Sequence, residues 1–235
     1  MGRFVALLLL PLLALAVPSA GFAQEGRGRV LFIEGCSSCH GLEGQGVAGV
    51  GPSLEGVGAQ AADFYLSTGR MPLDVETGEQ PLRGRPAYSR AEMDALVAFV
   101  ASLGGPPVPE VDPARGNLQE GFRAYTLSCA GCHQVVGEGG VVTGAIPPPL
   151  AEATPTQIAE AVRIGPYLMP AFDEQAIDDQ TLDSIIRYLE LTKDPVDEGG
   201  WGLGHIGPIP EGMVSWLLIL ALLILVARFL GERTR

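Results

Sequence analysis

A Cys-x-x-Cys-His motif occurs twice in this sequence. The first copy is Cys36-Ser37-Ser38-Cys39-His40 and the second is Cys129-Ala130-Gly131-Cys132-His133, so the two copies contain all four cysteines of the chain. The spacing is the attachment signature of c-type haem, because two thiols separated by two residues can bond to the two vinyl groups of one porphyrin. The adjacent histidine then binds the iron on its proximal side. The sequence therefore predicts two covalently bound haem c groups, with His40 and His133 as iron ligands.

The composition is compatible with small, loop-rich domains that use haem as part of their core. The 235 residues include 32 glycines and 19 prolines, which favour loops and short helices. A small domain with so much loop buries little apolar surface of its own, and the apolar face of a haem adds to it. The chain has 27 acidic and 15 basic residues, a net charge of −12. Such a charge disfavours nucleic-acid binding, because few cations are available to neutralise phosphates.

The N-terminus has the pattern of a secretory signal peptide. Arg3 precedes an apolar run from Phe4 to Val17, and small residues follow at Gly21 and Ala23. This pattern predicts cleavage after Ala23, with an uncleaved N-terminal anchor as the alternative. In either case the following residues are exported, which suits c-type haem attachment and disfavours a cytosolic thioredoxin-like role for the cysteine pairs.

The residues before and after the first motif resemble a class I cytochrome c. Gly28 and Phe32 lie eight and four residues before Cys36, in a helix predicted over Gly26–Gly35. In class I cytochromes c a glycine and an aromatic residue at these offsets let the first helix cross the last one closely. The last helix is predicted over Ser89–Leu103, where Ser89 and Glu92 form a capping box.

Two further residues of this domain are candidates for the haem site. The class I resemblance implies that the carbonyl of Pro52, in Gly51-Pro52-Ser53-Leu54, accepts the proximal histidine's N–H and orients the ring. Met71 lies in a loop beside Pro72, after a short helix predicted over Ala61–Thr68, and is the predicted sixth iron ligand. Met93 is the competing methionine, but it falls inside a helix, where a core-packing role is expected.

The same features recur in the same order after a linker rich in glycine and proline. Gly121 and Tyr125 lie eight and four residues before Cys129, and Pro148 occupies the position of Pro52. Thr154-Pro155-Thr156-Gln157 predicts the start of a helix, with an N-cap, a proline at the first position and a glutamine at the third. Met169-Pro170 supplies the second predicted methionine ligand. Zinc binding or a disulfide framework would also use four cysteines, but neither explains the paired Met-Pro loops.

An apolar stretch near the C-terminus predicts a membrane span. Met213 to Ala227 is apolar apart from Ser215, and including Arg228 to Leu230 extends it to a length that can cross a bilayer, with Arg228 at the interface. The basic residues at the end predict a cytoplasmic C-terminus by the positive-inside rule, so the haem domains would face the extracytoplasmic side of the cell membrane. A buried soluble helix is the alternative. His205 is expected to pack or lie at the interface rather than bind iron.

The predicted fold class is mainly α, with two tandem class I cytochrome c domains and a C-terminal transmembrane helix. The expected segments are a signal peptide or anchor at 1–23, a first domain at 24–104, a linker at 105–117, a second domain at 118–195, a juxtamembrane segment at 196–212, a span at 213–230 and a cytoplasmic tail at 231–235.

The order of the motifs resembles the dihaem cytochrome c subunit of the actinobacterial cytochrome bcc complex, a menaquinol:cytochrome c oxidoreductase. The stretches that carry this resemblance are Cys36 to Gly41, Gly51 to Leu54, Ser67 to Pro72, Cys129 to His133, Gly165 to Pro170 and Gly207 to Gly212. The resemblance implies an electron-transfer subunit that works beside cytochrome b. It also implies that a Rieske iron–sulfur protein reduces the first haem and that the second haem reduces an aa3-type oxidase.

Two other function classes remain as alternatives. A dihaem peroxidase-like enzyme would need one haem with an open or displaceable sixth position, whereas two Met-ligated haems would have none. A dihaem subunit of a cbb3-type oxidase or of a membrane dehydrogenase would share the haem motifs. In the cbb3-type subunit the anchor precedes the haems, whereas the clear span here follows them. In the favoured interpretation the chain belongs to a quinol–cytochrome c reductase (a translocase) but performs no substrate-bond chemistry itself.

Overall fold

The structure is a computed structural model that describes residues 20–73, 82–194 and 208–232. The predicted signal region up to residue 19, His205 and most of the predicted juxtamembrane segment lie outside these residues. Within the described ranges the chain contains helices, turns and two isolated β-bridges but no strand, which confirms the mainly α fold class. The chain divides into two compact units, residues 1–193 and 194–235.

The described residues of the first unit form eight α-helices in two sets of four. The first set is α1 (Ala20–Gly35), α2 (Ser37–His40), α3 (Gly58–Ser67) and α4 (Arg90–Ser102). The second set is α5 (Leu118–Ser128), α6 (Ala130–His133), α7 (Pro155–Ile164) and α8 (Asp179–Lys193). A single 3₁₀ turn, Pro113–Arg115, lies between the sets among the described residues.

Each set is closed by a glycine-mediated crossing of its first and last helices. A Cβ atom added at Gly28 of α1 would overlap the backbone carbonyl oxygen of Ala95 in α4. A Cβ at Gly121 of α5 would overlap the carbonyl oxygen of Ser184 in α8 in the same way. Only glycine permits such a close backbone approach at these two positions. The crossings predicted from the glycine offsets are therefore present in both sets.

An aromatic side chain packs into each crossing. Phe32 and Phe99 lie with ring centroids 4.8 Å apart in the first core. Tyr125 and Tyr188 lie 5.5 Å apart in the second. Each pair belongs to its own cluster of buried apolar residues, so each set of helices has a separate core.

The predicted caps are present, although two helices begin earlier than expected. Glu92 accepts hydrogen bonds from the backbone and the hydroxyl of Ser89 at the start of α4. Thr154 caps α7, and Gly165 ends it in the left-handed conformation. α1 begins at Ala20 rather than Gly26 and α3 at Gly58 rather than Ala61. No proline interrupts residues 20–26, and α1 continues through Gly21 and Gly26.

The two sets of helices contact each other through α3 and α7. The Gln157 side chain of α7 donates hydrogen bonds to the backbone carbonyl and the hydroxyl of Ser67, at 3.3 and 3.0 Å. The Arg83 guanidinium donates to the carbonyl oxygen of Glu152 at 2.8 Å. Asp63 of α3 and Glu160 of α7 are both buried at this contact.

In the second unit the described residues form a long apolar helix, α9 (Pro208–Glu232). Its segment Gly212–Glu232 has a mean hydropathy of 2.6 and is not buried by the rest of the chain. Large apolar side chains are exposed along this segment, from Met213 to Leu230. A fully exposed apolar helix of 21 residues is long enough to cross a bilayer.

Candidate haem sites

The backbone of each Cys-x-x-Cys-His motif forms a single tight turn directly after a helix. The N–H of Cys36 donates to the carbonyl of Phe32 at 2.8 Å, and the N–H of His40 donates to the carbonyl of Cys36 at 3.0 Å. In the second motif the corresponding bonds join Cys129 to Tyr125 and His133 to Cys129. The buried aromatic residue four positions before each motif thus anchors the turn. All four cysteines are free thiols, so each is available for a thioether bond.

The first histidine is oriented by a backbone carbonyl. His40 Nδ1 lies 2.8 Å from the carbonyl oxygen of Pro52. Because a carbonyl oxygen only accepts, Nδ1 carries a proton and donates it, which leaves Nε2 as the nitrogen that can face a metal. A neutral imidazole with a free Nε2 is the form that binds a metal. Gly51 lets the loop approach this closely, since a Cβ there would lie 2.5 Å from the carbonyl oxygen of Cys39.

The second histidine is also oriented by a backbone carbonyl. His133 Nδ1 lies 3.2 Å from the carbonyl oxygen of Pro148. Burial lowers the pKa of His133, and the hydrogen bond to Pro148 partly opposes that effect. The imidazole is therefore neutral at physiological pH and again presents Nε2 as the free nitrogen.

A cavity of about 640 Å³ lies beside the second motif. Its lining is mostly apolar and includes the residues that the sequence assigns to the second haem: Cys129, Cys132, His133, Pro148 and Met169. The structure thus brings all five to one cavity, of a volume typical of cofactor pockets. The donor set, two thiols, a neutral imidazole and a thioether around an apolar space, fits a covalently attached haem.

At the first motif, the predicted site residues Cys36 and Met71 contact the first core. Cys36, Leu54 and Met71 are half-buried and pack against the same cluster of buried residues. Met93, the competing methionine, is 7% exposed and lies inside that cluster on α4. Its environment is that of a core side chain, whereas Met71 lies in a loop after α3.

The first cysteine of each motif has a raised pKa. Burial, and then the neighbouring Cys39, raise the pKa of Cys36 to about 11. Burial and Cys132 raise the pKa of Cys129 to about 11. As free thiols these groups stay protonated at neutral pH.

Two cations that the sequence did not assign to any site also line the second cavity. Arg70 and Arg83, both from the first set of helices and its loops, contribute to its wall together with Phe64. Burial first, and then the neighbouring positive charge of Arg83, lower the pKa of Arg70. Arg70 precedes Met71 directly, but nothing in the sequence indicates that it faces the other domain's cavity.

The paired motifs and the fold define this protein as a c-type cytochrome. The sequence profile of the family described as "Cytochrome c" matches residues 26–104. The profile described as "Cytochrome C oxidase, cbb3-type, subunit III" matches residues 116–189. The two matches correspond to the two sets of four helices.

Comparison over nearly the whole chain identifies the family. The protein named "Cytochrome bc1 complex cytochrome c subunit" in Mycobacterium tuberculosis is 38% identical over 217 residues, which are 88% of this chain and 77% of the relative. The protein of the same name in Corynebacterium diphtheriae is 34% identical over 232 residues, 90% of this chain and 81% of the relative. The chain belongs to the family of cytochrome c subunits of the cytochrome bc1 complex. It is therefore an electron-transfer subunit of a bc-type quinol–cytochrome c reductase, as the sequence resemblance implied.

Proposed function

We propose that the chain carries two haem c groups with His/Met ligation. Cys36 and Cys39 form the thioethers of the first haem, and His40 and Met71 are its iron ligands. Cys129, Cys132, His133 and Met169 play the same roles for the second. The observation that carries the proposal is the repeated geometry: each motif ends in a histidine whose Nδ1 donates to a proline carbonyl and whose Nε2 is free.

The chain's own residues set the conditions under which a haem iron exchanges electrons. Haem, when bound, supplies one-electron chemistry at its iron, and a histidine–methionine ligand pair favours a high reduction potential. The Pro52 and Pro148 carbonyls fix the orientation of the imidazoles and increase their basicity as ligands. The mostly apolar wall of the second cavity would limit the contact of a bound haem with water. None of these residues acts on a substrate bond.

We propose that the chain forms a two-step electron path beside cytochrome b. A Rieske iron–sulfur protein reduces the first haem, the second haem accepts the electron, and an aa3-type oxidase oxidises it. The relatives' printed name supports the assembly with a bc1-type complex. Packing of both domains in one compact unit supports transfer between them, because their contact through α3 and α7 holds the two sites in one body.

The chain is anchored by α9, and we propose that both haem domains lie on the extracytoplasmic side. The C-terminal end of the apolar segment is basic, with Arg228, Arg233 and Arg235. Basic residues beside a membrane span are retained on the cytoplasmic side. In this orientation the haems of the complex, a translocase, would be oxidised on the outer side of the membrane.

The profile match of the second domain favours one alternative, a cytochrome subunit of a cbb3-type oxidase. That match covers one domain, whereas the relatives from bc1 complexes align with about nine-tenths of the chain. The alternative therefore explains less of the sequence.

The test is to purify the full-length chain in a mild detergent through an affinity tag and identify its partners by mass spectrometry. The proposal predicts co-purification of cytochrome b and a Rieske protein. Recovery of a cbb3-type catalytic subunit, or of a dehydrogenase flavoprotein or quinoprotein in their place, would overturn it. Haem content measured on the same sample should be two haem c per chain.

A further inference from the structure

Two guanidinium groups from the first domain reach the wall of the second domain's cavity. Arg70 follows α3 and precedes Met71, and Arg83 lies at the far end of the same connection between α3 and α4. Both line the cavity that also contains Cys129, His133 and Met169. The second site is thus not built from its own domain alone.

The Arg70 guanidinium has no anionic partner within the described ranges. It lies 5.0 Å from the centroid of the Phe64 ring, a cation–π contact. Among residues 20–73 and 82–194, no side-chain carboxylate or carbonyl accepts a hydrogen bond from it. A half-buried guanidinium in a strongly acidic protein would normally have a carboxylate beside it, because Arg forms its most stable contacts with such groups.

Arg83 is held in place by neutral groups and by one exposed carboxylate. Its guanidinium donates to the Glu152 carbonyl oxygen at 2.8 Å and to Gln157 Oε1 at 3.2 Å. The Glu152 carboxylate lies 3.6 Å from Arg83 Nε but is 79% exposed, so water screens the pair strongly. These contacts orient Arg83 toward the cavity without neutralising it. The chain therefore places two positive charges side by side at one edge of an otherwise apolar space.

A haem brings two propionate carboxylates into such a space. Carboxylates and guanidinium groups form short, charge-assisted hydrogen bonds, often with two contacts per pair. The repulsion between Arg70 and Arg83 would be relieved by an anion between or beside them. Other lining groups, such as Ser128 and Thr143, are neutral and cannot replace that charge.

We propose that Arg70 and Arg83 of the first domain bind the propionates of the second haem and raise its reduction potential. This inference rests on the proposed haem at Cys129 and Cys132. Positive charge near a haem favours the reduced form, because reduction lowers the positive charge of the iron centre. The two arginines then make the second haem the better electron acceptor. Since Arg70 adjoins the proposed ligand Met71, one loop serves both haems.

The experiment is a potentiometric titration of the full-length protein in detergent, followed by c-haem absorption. The informative variant is Arg70→Gln, because among the described residues the contact made by this side chain is the one with the Phe64 ring. We expect the reduction equilibrium constant of the second haem to fall about three- to tenfold. A tenfold fall is a shift of about 59 mV to lower potential for a one-electron couple. Arg83→Gln should shift the same haem in the same direction, and Arg70→Lys should retain most of the wild-type potential.

Two controls identify the cause of a shift. The Cys129→Ala, Cys132→Ala double variant cannot attach the second haem and identifies the remaining component as the first. Arg123→Gln removes one charge from an exposed residue of the second domain, outside the cavity lining, and should leave both potentials almost unchanged. An equal shift in Arg123→Gln and Arg70→Gln would overturn the inference, as would unchanged potentials in Arg70→Gln and Arg83→Gln.

Measuring the haem content distinguishes a failure of this inference from a failure of the proposed function. Two haems per chain with unaltered potentials in both variants would overturn only the role of the arginines. Fewer than two haems in the wild-type protein would overturn the proposed function itself.

Discussion

At the scale of single residues, the two candidate haem sites are defined by the group beside each histidine and by where each methionine lies. Each histidine has a backbone carbonyl oxygen within hydrogen-bond distance of Nδ1. Met169 lines the second cavity, whereas Met93 is buried in the first core. The position of a methionine therefore predicts whether its substitution changes the haem or only the packing.

Replacing Met169 with leucine should change the second haem and leave the first unaltered. Loss of the sulfur ligand lowers the reduction potential and opens the sixth position of the iron. Visible spectra should show a high-spin component, and the reduced protein should bind carbon monoxide. Met93→Leu is the matched control: it nearly conserves volume, should cost less than about 1.5 kcal/mol and should leave the spectra intact. A wild-type spectrum and potential in Met169→Leu would contradict the assigned ligand.

At the scale of helices, the fold depends on the two close crossings rather than on helix propensity. α1 meets α4 at Gly28, and α5 meets α8 at Gly121, where a side chain would collide with the facing backbone. Backbone atoms cannot move aside as a flexible side chain can. Each crossing also positions the aromatic residue that anchors the following motif turn.

Gly28→Ala should destabilise the first domain, whereas Gly26→Ala should not. A Cβ at Gly28 overlaps the carbonyl oxygen of Ala95, while a Cβ at Gly26 has no neighbour within 4 Å. Overpacking of this kind costs about 1–3 kcal/mol or more. In contrast, alanine in an open helical position stabilises by about 0.5–1 kcal/mol. Thermal unfolding followed by circular dichroism measures both, and equal melting temperatures would show that the crossing is not tight.

The helices and their order were predictable because their signals are local. Cap residues such as Ser89 and Thr154, the glycine offsets and the Met-Pro loops all lie within a few residues of the structure they determine. The start of α1 was less predictable, because Gly26 resembles a helix boundary in the sequence but lies inside the helix. The participation of Arg70 and Arg83 in the second cavity could not be predicted, since it arises from the packing of one domain on the other.

At the scale of the whole molecule, the contact between the haem domains contains a buried acidic pair. Glu160 of α7 is completely buried, and its carboxyl oxygens accept no hydrogen bond from an N–H or O–H group among the described residues. Burial, and then the adjacent Asp63, raise the pKa of Glu160 to about 9. Asp63 itself is paired with Arg90 at 2.7 Å, and Arg90 also binds Asp94. Glu160 is therefore protonated at neutral pH and can share its proton with Asp63.

This pair makes the stability of the folded protein fall as pH rises. Glu160 keeps its proton in the folded state up to about pH 9, whereas the unfolded chain loses it near the ordinary value of 4.5. Between these values the folded state binds more protons, so the free energy of unfolding decreases with pH, by up to about 1.4 kcal/mol per unit. Glu160→Gln keeps the shape without the titration and should flatten this slope in urea unfolding at pH 5 to 9.

The exposed Glu152 provides the matched control for that prediction. Glu152→Gln removes an acidic group from the same interface but should preserve the wild-type slope, since its carboxylate is 79% exposed. Equal slopes in the wild type and Glu160→Gln would show that Glu160 does not hold a proton in the folded protein.

The proposed function makes this chain a two-haem electron path within a quinol-oxidising complex. Its most direct test is to add quinol to the detergent-purified complex and count the electrons that the c-type haems of this chain accept. We expect the c-type haems to accept two electrons per chain in the wild type and one in the Cys129→Ala, Cys132→Ala variant. Absence of c-haem reduction by quinol, or one electron in both proteins, would contradict it.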